Sequence, residues 1–216
     1  MHRTGGRVVA GDYDDSRRWV SHTVQTTGRK DAVMPGFEGS DAEWRGMLSC
    51  ARNEYAGLPV DFVEKPPANG EYLLVFVGGS PTNMGMSRMW GWASAGSKEV
   101  VPHGVGFVFS ADHKAKDRTI ALCETLAHEV GHMIGLDHST DCNDVMSTNA
   151  ACRNRDYKHG RIRGFQSPNL AILASSLATW GRSAQDPTTR LADDAADKTQ
   201  KVRANVPQQQ KTPPAR

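Results

Sequence analysis

The amino-acid sequence predicts an α+β domain followed by a polar tail. Two long helices are expected over residues 41–56 and 118–135, because apolar side chains recur there at helical spacing. A third, C-terminal helix is expected to begin at Ser167-Pro168, where serine suits the N-cap and proline the first turn. Short apolar runs bounded by Gly and Pro lie between the first two helices and are typical of β-strands.

The first long helix has a clear start and a clear end in the sequence. Ser40 and Glu43 form a capping-box pattern, in which each side chain satisfies a backbone amide of the other residue. Gly57 and Pro59 end the helix. Its apolar stripe consists of Trp44, Met47, Leu48, Ala51 and Tyr55.

Strands are expected on both sides of this helix. The run at residues 72–77 is almost wholly apolar, as in strands buried on both faces, and residues 105–109 place apolar side chains on one side. Residues 60–63 predict a short strand, and residues 88–93 predict a short edge strand. A weaker alternation of apolar and polar side chains at residues 20–26 also favours a strand.

The strongest functional signal is the motif His128-Glu129-x-x-His132-x-x-Gly135-x-x-His138. Residues four apart lie on one face of a helix, so His128 and His132 can bind one Zn²⁺ together. Gly135 can adopt the left-handed conformation that ends helices, which brings His138 back as a third ligand. Three protein ligands with one open position are typical of a catalytic zinc site. Three unrelated histidines at a solvated helix end would leave the glycine and the spacing unexplained.

Glu129 follows the first histidine by one residue, about 100° around the helix. From there its carboxylate can reach a zinc-activated water rather than the metal, which predicts the role of general base. A surface carboxylate without a role is the alternative.

The motif and Met146 resemble the metzincin zinc endopeptidases, whose Met-turn lies beneath the metal. Ser139 after the third histidine, and the eight-residue spacing from His138 to Met146, are most similar to the matrixin branch. The resemblance extends over residues 7–181. It implies a twisted, mostly parallel sheet of four to five strands, the two long helices, a Met-turn and a C-terminal helix.

By this resemblance the chain is expected to be a zinc-dependent endopeptidase that hydrolyses protein or peptide substrates with Glu129 as general base. Two other functions stay open: a catalytically weak metzincin-fold module that binds proteins, and a structural domain in which zinc holds a loop. The presence of Glu129 argues against the first, and a site with only three protein ligands argues against the second.

Four cysteines form an even set without C-x-x-C spacing: Cys50, Cys123, Cys142 and Cys152. Such a set favours two disulfides and a secreted or periplasmic location, with buried free thiols as the alternative. No apolar leader is visible at the N-terminus. In the metzincin arrangement the two long helices pack together, which implies a Cys50–Cys123 bridge and leaves Cys142–Cys152. A bridge from Cys123 to either later cysteine, or free thiols, remains open.

The composition excludes several other classes of protein. The formal net charge is +2, and no basic stripe is interleaved with aromatic residues, so no nucleic-acid partner is expected. No apolar run approaches the roughly 18 residues of a membrane span, and a monomer is expected. We therefore predict a catalytic domain over residues 1–182 and a polar tail over 183–216 that lacks the apolar side chains needed for packing.

Overall fold

The computed structural model describes residues 1–114, 117–148, 152 and 163–185. The chain divides into two compact units, Met1–Thr179 and Trp180–Arg216. Apart from the last turn of the C-terminal helix, from Trp180 onward, the helices and strands lie in the first unit. Most of the predicted polar tail, from residue 186 onward, lies outside the described residues.

Helices and short strands alternate along the chain, and two 3₁₀ turns lie at Pro81–Met84 and Ser110–Asp112. In chain order the elements are β1 (Gly6–Ala10), β2 (Val20–Ser21), α1 (His22–Thr26), β3 (Asp31–Met34), α2 (Asp41–Glu54), β4 (Leu74–Val77), β5 (Gly91–Trp92), β6 (Val105–Val108), α3 (Arg118–Met133) and α4 (Ser167–Gln185).

The strands form two three-stranded sheets rather than the expected single, mostly parallel sheet. In the first sheet β1 pairs with β2 in parallel and with β3 antiparallel. In the second, β6 pairs with β4 in parallel and with β5 antiparallel. One isolated bridge between His2 and Phe76 links the two sheets. The chain then bends at Thr4 before β1 begins.

The strand expected at residues 20–26 is wrong beyond Ser21, because the chain turns into the short helix α1. The Oγ of Ser21 accepts from the Val24 amide, and a carboxylate oxygen of Asp14 accepts from the His22 amide at 2.7 Å. These two side chains satisfy the amides at the start of the helix. The alternation of apolar and polar residues does not reveal these hydrogen bonds.

The strand expected at residues 60–63 is also absent. Phe62 is the one buried residue of that run. Its carbonyl accepts from the Arg52 guanidinium at 2.6 Å, and the Val63 carbonyl accepts from the N-terminal amine of Met1. The backbone carbonyls of this run therefore accept from a side chain and from the N-terminal amine instead of from a neighbouring strand.

Helix α2 begins as predicted, with both hydrogen bonds of the capping box present between Ser40 and Glu43. It packs along α3, and the Cys50–Cys123 disulfide joins the two helices. The hydroxyl of Tyr55 donates to the Ala127 carbonyl at 2.8 Å and ties the end of α2 to the middle of α3.

Helix α3 is almost wholly buried, because α2 covers one side and strands β5 and β6 lie on another. Strands β4 and β6 are buried at every position, as their apolar sequences predict. Helix α4 starts at the predicted Ser167 and buries Leu173 and Leu177. None of the described helices combines the length and the apolar character that a membrane crossing requires.

Candidate active site

The backbone turn after α3 brings the third histidine of the motif toward the first two. Helix α3 ends at Met133, and Gly135 has a φ of +106°. A Cβ atom at this position would lie 2.6 Å from the backbone nitrogen of Glu99, so the close approach of residues 98 and 99 also requires glycine. The Lys98 amide donates to the Gly135 carbonyl at 3.0 Å and holds the turn.

The three predicted histidines lie in one cluster. The Nε2 atom of His132 is 3.0 Å from Nε2 of His128 and 3.2 Å from Nε2 of His138. All three ligand atoms lie within 4.8 Å of one another, and among the described residues this is the one group of three possible metal ligands. His132 is buried and His138 is exposed, so the cluster opens to solvent on one side.

Two backbone carbonyls orient these imidazoles. Nδ1 of His128 lies 2.9 Å from the Val145 carbonyl, and Nδ1 of His132 lies 2.8 Å from the Leu136 carbonyl. A carbonyl oxygen only accepts, so each neutral ring donates from Nδ1 and keeps its lone pair on Nε2. Burial lowers the pKa of His128 to about 3, with the neighbouring His132 as a smaller cause, and burial also lowers the pKa of His132.

This donor set fits zinc. Lone pairs about 3 Å apart repel unless a cation lies between them, and neutral imidazoles are the form that binds metal. Two ligands at roughly 2.0–2.1 Å in tetrahedral geometry are about 3.3 Å apart, close to the observed separations of 3.0 Å and 3.2 Å. The carbonyls of Val145 and Leu136 supply the orientation that metal-binding histidines take from neighbouring acceptors. Asp137, which directly precedes the third histidine, is exposed.

Glu129 is 5 % exposed and lines the same cleft as the histidines. Burial raises the pKa of its carboxyl group to about 8, and a nearby cation would lower it again. Strand β5 passes very close to this side chain. A Cβ atom at Gly91 would lie 2.5 Å from Oε1 of Glu129, so a larger residue at this point of β5 would displace the carboxylate.

Met146 is fully buried under α3, where a Cβ atom on Gly131 would lie 2.7 Å from its sulfur. The Met146 carbonyl accepts from the Ser139 amide at 2.9 Å, which ties the turn to the residue after His138. The Met146 amide donates to Asp144 Oδ1 at 2.8 Å. Hydrogen bonds made by the amide and by the carbonyl group of Met146 thus fix the turn.

Asp144 also connects the methionine turn to the C-terminal helix. Its second oxygen accepts from the Gln166 amide at 3.0 Å and from the Asn169 side chain at 2.8 Å. Sequence reasoning missed this residue. The available signal was an aspartate two residues before a turn amide, which is the pattern of an Asx turn.

The matrixin family model matches residues 4–162 of the chain. The chain belongs to the matrixin family. The resemblance inferred from the motif is thereby confirmed, and membership supports a zinc metalloprotease that acts on peptide or protein substrates. No curated protein matches the chain. The pairing of Cys50 with Cys123 and of Cys142 with Cys152, implied by the same resemblance, is confirmed as well.

The cleft of this matrixin has a volume of about 750 Å³ and two unlike sides. Along β5 it is lined mainly by apolar side chains, namely Met89, Trp90, Trp92, Ala93 and Ala95. Along α3 and the chain after it, hydroxyl groups and charged groups predominate, namely those of Glu124, Thr125, Ser147, Thr148 and Arg163. The histidines and Glu129 lie in this same cleft.

A buried ion pair closes the polar side of the matrixin cleft, and sequence reasoning missed it. Nη2 of Arg163 lies 3.0 Å from Oε2 of Glu124, whose side chain is 2 % exposed. Nη1 of Arg163 donates to the Ser147 hydroxyl at 2.8 Å. Nothing in the sequence pairs Arg163 with Glu124, which lies 39 residues earlier.

Proposed function

We propose that this protein is a zinc-dependent endopeptidase whose metal ligands are His128, His132 and His138. The observation that carries the proposal is the convergence of three Nε2 atoms within 4.8 Å at the wall of an open cleft. Two of these atoms have their lone pairs fixed by the bonds from Nδ1 to carbonyls. The arrangement leaves a coordination position on the cleft side, as a catalytic zinc requires.

The chemistry follows from the groups in the cleft. When bound, zinc supplies Lewis acidity, which lowers the pKa of water and polarises a carbonyl oxygen. Glu129 accepts the proton from the attacking water and delivers it to the leaving amine nitrogen. Burial beside Gly91 raises the pKa of the Glu129 carboxyl group to about 8, and the charge of a bound metal would lower it toward neutrality, the range in which a general base is effective.

The same proposal includes where the enzyme works and which residues form its domain. Two disulfides support a secreted or periplasmic enzyme, because cytosolic proteins rarely keep such bonds. We place the catalytic domain at residues 1–182 and treat residues 183–216 as a dispensable polar tail, on the basis of its composition.

The proposal is tested by removing and restoring the metal. Purified protein is dialysed against a chelator, assayed for casein cleavage, and assayed again after stoichiometric Zn²⁺ is added. We expect about one tightly held zinc per chain, no cleavage without it, and recovery on addition. Protein that holds zinc but cleaves neither casein nor a diverse peptide mixture would instead be a binding module.

A further inference from the structure

One helical turn before the first histidine, α3 presents two polar side chains to the cleft. Glu124 precedes His128 by four residues and therefore lies on the same face of the helix. Thr125 is its neighbour, and both line the cleft. Ser147, directly after the buried Met146, lines the cleft as well. We call Glu124, Thr125, Ser147 and Arg163 the polar end of the cleft.

The polar end is fixed by hydrogen bonds within the protein. Glu124 accepts from the Arg163 backbone amide at 2.7 Å, from Nε at 3.1 Å and from Nη2 at 3.0 Å. The Ser147 hydroxyl donates to the Asp144 carbonyl at 2.8 Å and accepts from Arg163. The Thr125 hydroxyl donates to the Ala121 carbonyl at 2.9 Å, and Nε2 of His113 lies 3.4 Å from its oxygen. Both hydroxyl oxygens keep acceptor capacity, because a hydroxyl oxygen has two lone pairs.

An aliphatic substrate side chain is a poor match for this end of the cleft. It would cover the remaining lone pairs of the Thr125 and Ser147 hydroxyl oxygens without offering them a donor, which costs on the order of 1–3 kcal/mol for each oxygen left unsatisfied. The side chains of Glu124, Thr125 and Ser147 are all nearly buried already, so little relaxation toward solvent is available to them.

A charged substrate side chain is a poor match too. Glu124 and Arg163 both line the cleft and already neutralise each other. A carboxylate, an ammonium or a guanidinium group would therefore bring an additional charge into a largely buried site, at the cost of its own desolvation.

We propose that the polar end of the cleft is a substrate subsite that selects an uncharged, hydrogen-bonding side chain, such as that of Ser, Thr, Asn or Gln. A hydroxyl or amide group can donate to the oxygens of Thr125 and Ser147 and adds no charge beside the Glu124–Arg163 pair. This inference rests on the proposed peptidase function, since it names the substrates of the same cleft.

The test compares peptides that differ at one position. A diverse peptide library first locates the cleavage site, and synthetic peptides then carry Gln, Ser, Leu, Glu or Lys at each flanking position in turn. Wild-type protein is assayed for cleavage, and zinc-loaded Glu129→Gln protein is assayed for peptide binding. At one position we expect Gln and Ser to exceed Leu, Glu and Lys by at least about tenfold in kcat/KM and in affinity.

Variants then assign the preference to the polar end. Glu124→Leu/Arg163→Leu replaces the whole ion pair with apolar side chains, a change that proteins often tolerate when both charges are removed together. In this variant the preference should reverse, so that kcat/KM and affinity are higher for the Leu peptide than for the Gln peptide. Thr125→Val removes one hydroxyl at nearly constant shape and should weaken the preference. The control is Arg7→Leu/Asp31→Leu, which removes an ion pair on the first sheet and should leave the order unchanged.

The two assays separate the two proposals. Cleavage with a preference for Leu at every position, or the same order in wild type and both variants, would overturn the polar subsite and leave the peptidase intact. Selective binding of Gln peptides that are never cleaved would support the subsite and overturn the peptidase.

Discussion

The two sides of helix α3 are built differently. On the side toward α2 the contacts include a disulfide, the Tyr55 hydrogen bond and a partly exposed ion pair between Glu43 and Arg118. On the cleft side four polar residues are buried, namely Glu124, Thr125, Glu129 and His132. The packed side therefore stabilises the helix, whereas the cleft side carries groups whose burial is costly unless each has a partner.

Within the sixteen residues of α3, one side therefore contributes mainly to stability, and the other contributes mainly to metal binding and catalysis. Changes on the cleft side should alter metal binding and catalysis while the fold remains. Changes on the packed side should lower stability while the chemistry of the folded protein remains. The predictions below test this division, in order of decreasing expected effect.

The largest effect is expected for His132→Ala. It removes the central, buried imidazole of the cluster, so zinc binding and peptide cleavage should both be lost. Activity should fall by on the order of 10⁴-fold or more, since enzymes accelerate reactions by at least about 10⁶-fold. Circular dichroism of the metal-free protein should be unchanged. His22→Ala, at an exposed position of α1, is the control and should keep both properties. Full activity in His132→Ala would show that the ligand assignment is wrong.

Glu129→Gln should distinguish the role of general base from that of metal ligand. The variant keeps the size of the side chain and all three histidines, so zinc content should stay at about one per chain. Turnover should fall by at least about 10²-fold, the usual range for loss of general acid–base catalysis. Metal analysis and kcat are the measurements. Loss of zinc together with activity would identify Glu129 as a ligand instead.

Gly91→Ala tests whether β5 positions the base. The new Cβ atom would lie 2.5 Å from Glu129 Oε1 and must displace it. We expect kcat to fall by roughly tenfold or more through loss of alignment, with zinc content unchanged. Gly181→Ala is the matched control, because no atom lies within 4 Å of its new Cβ. An unchanged kcat in Gly91→Ala would mean that the carboxylate position is not critical.

Cys50→Ala/Cys123→Ala tests the packed side. The bridge closes a loop with a sequence separation of 73, for which the chain-entropy model gives roughly 4 kcal/mol. Thermal unfolding should occur at a clearly lower temperature, while zinc content and kcat at low temperature stay near those of wild type. The Cys142–Cys152 bridge, with a separation of only 10, should contribute roughly 3 kcal/mol or less. A large fall in kcat without a fall in melting temperature would contradict the division between the two sides.

The smallest effect is expected from truncation after Gly181. The removed segment carries few aliphatic side chains, so melting temperature and peptide cleavage should be unchanged. Truncation after Gln166 is the contrasting variant, because it removes the buried Leu173 and Leu177 of α4 and should destabilise the protein. A marked fall in melting temperature for the shorter truncation would show that the tail contributes to the fold.

Features that depend on local geometry could be predicted from the sequence alone. Helical periodicity placed His128, Glu129 and His132 on one stretch of α3, and Gly135 marked the turn that brings in His138. The capping box of α2 and the start of α4 were readable for the same reason, since each depends on residues a few positions apart.

Contacts between groups far apart in the sequence depend on the tertiary fold. The division of the strands into two sheets depends on long-range pairing, and so does the Glu124–Arg163 pair, whose partners lie 39 residues apart. The bonds from Asp144 to Gln166 and Asn169 span more than 20 residues. Local sequence contains no signal for such contacts, because their geometry depends on the packing of whole helices and strands. The metal ligands were therefore predictable from the sequence, and the polar end of the cleft beside them was not.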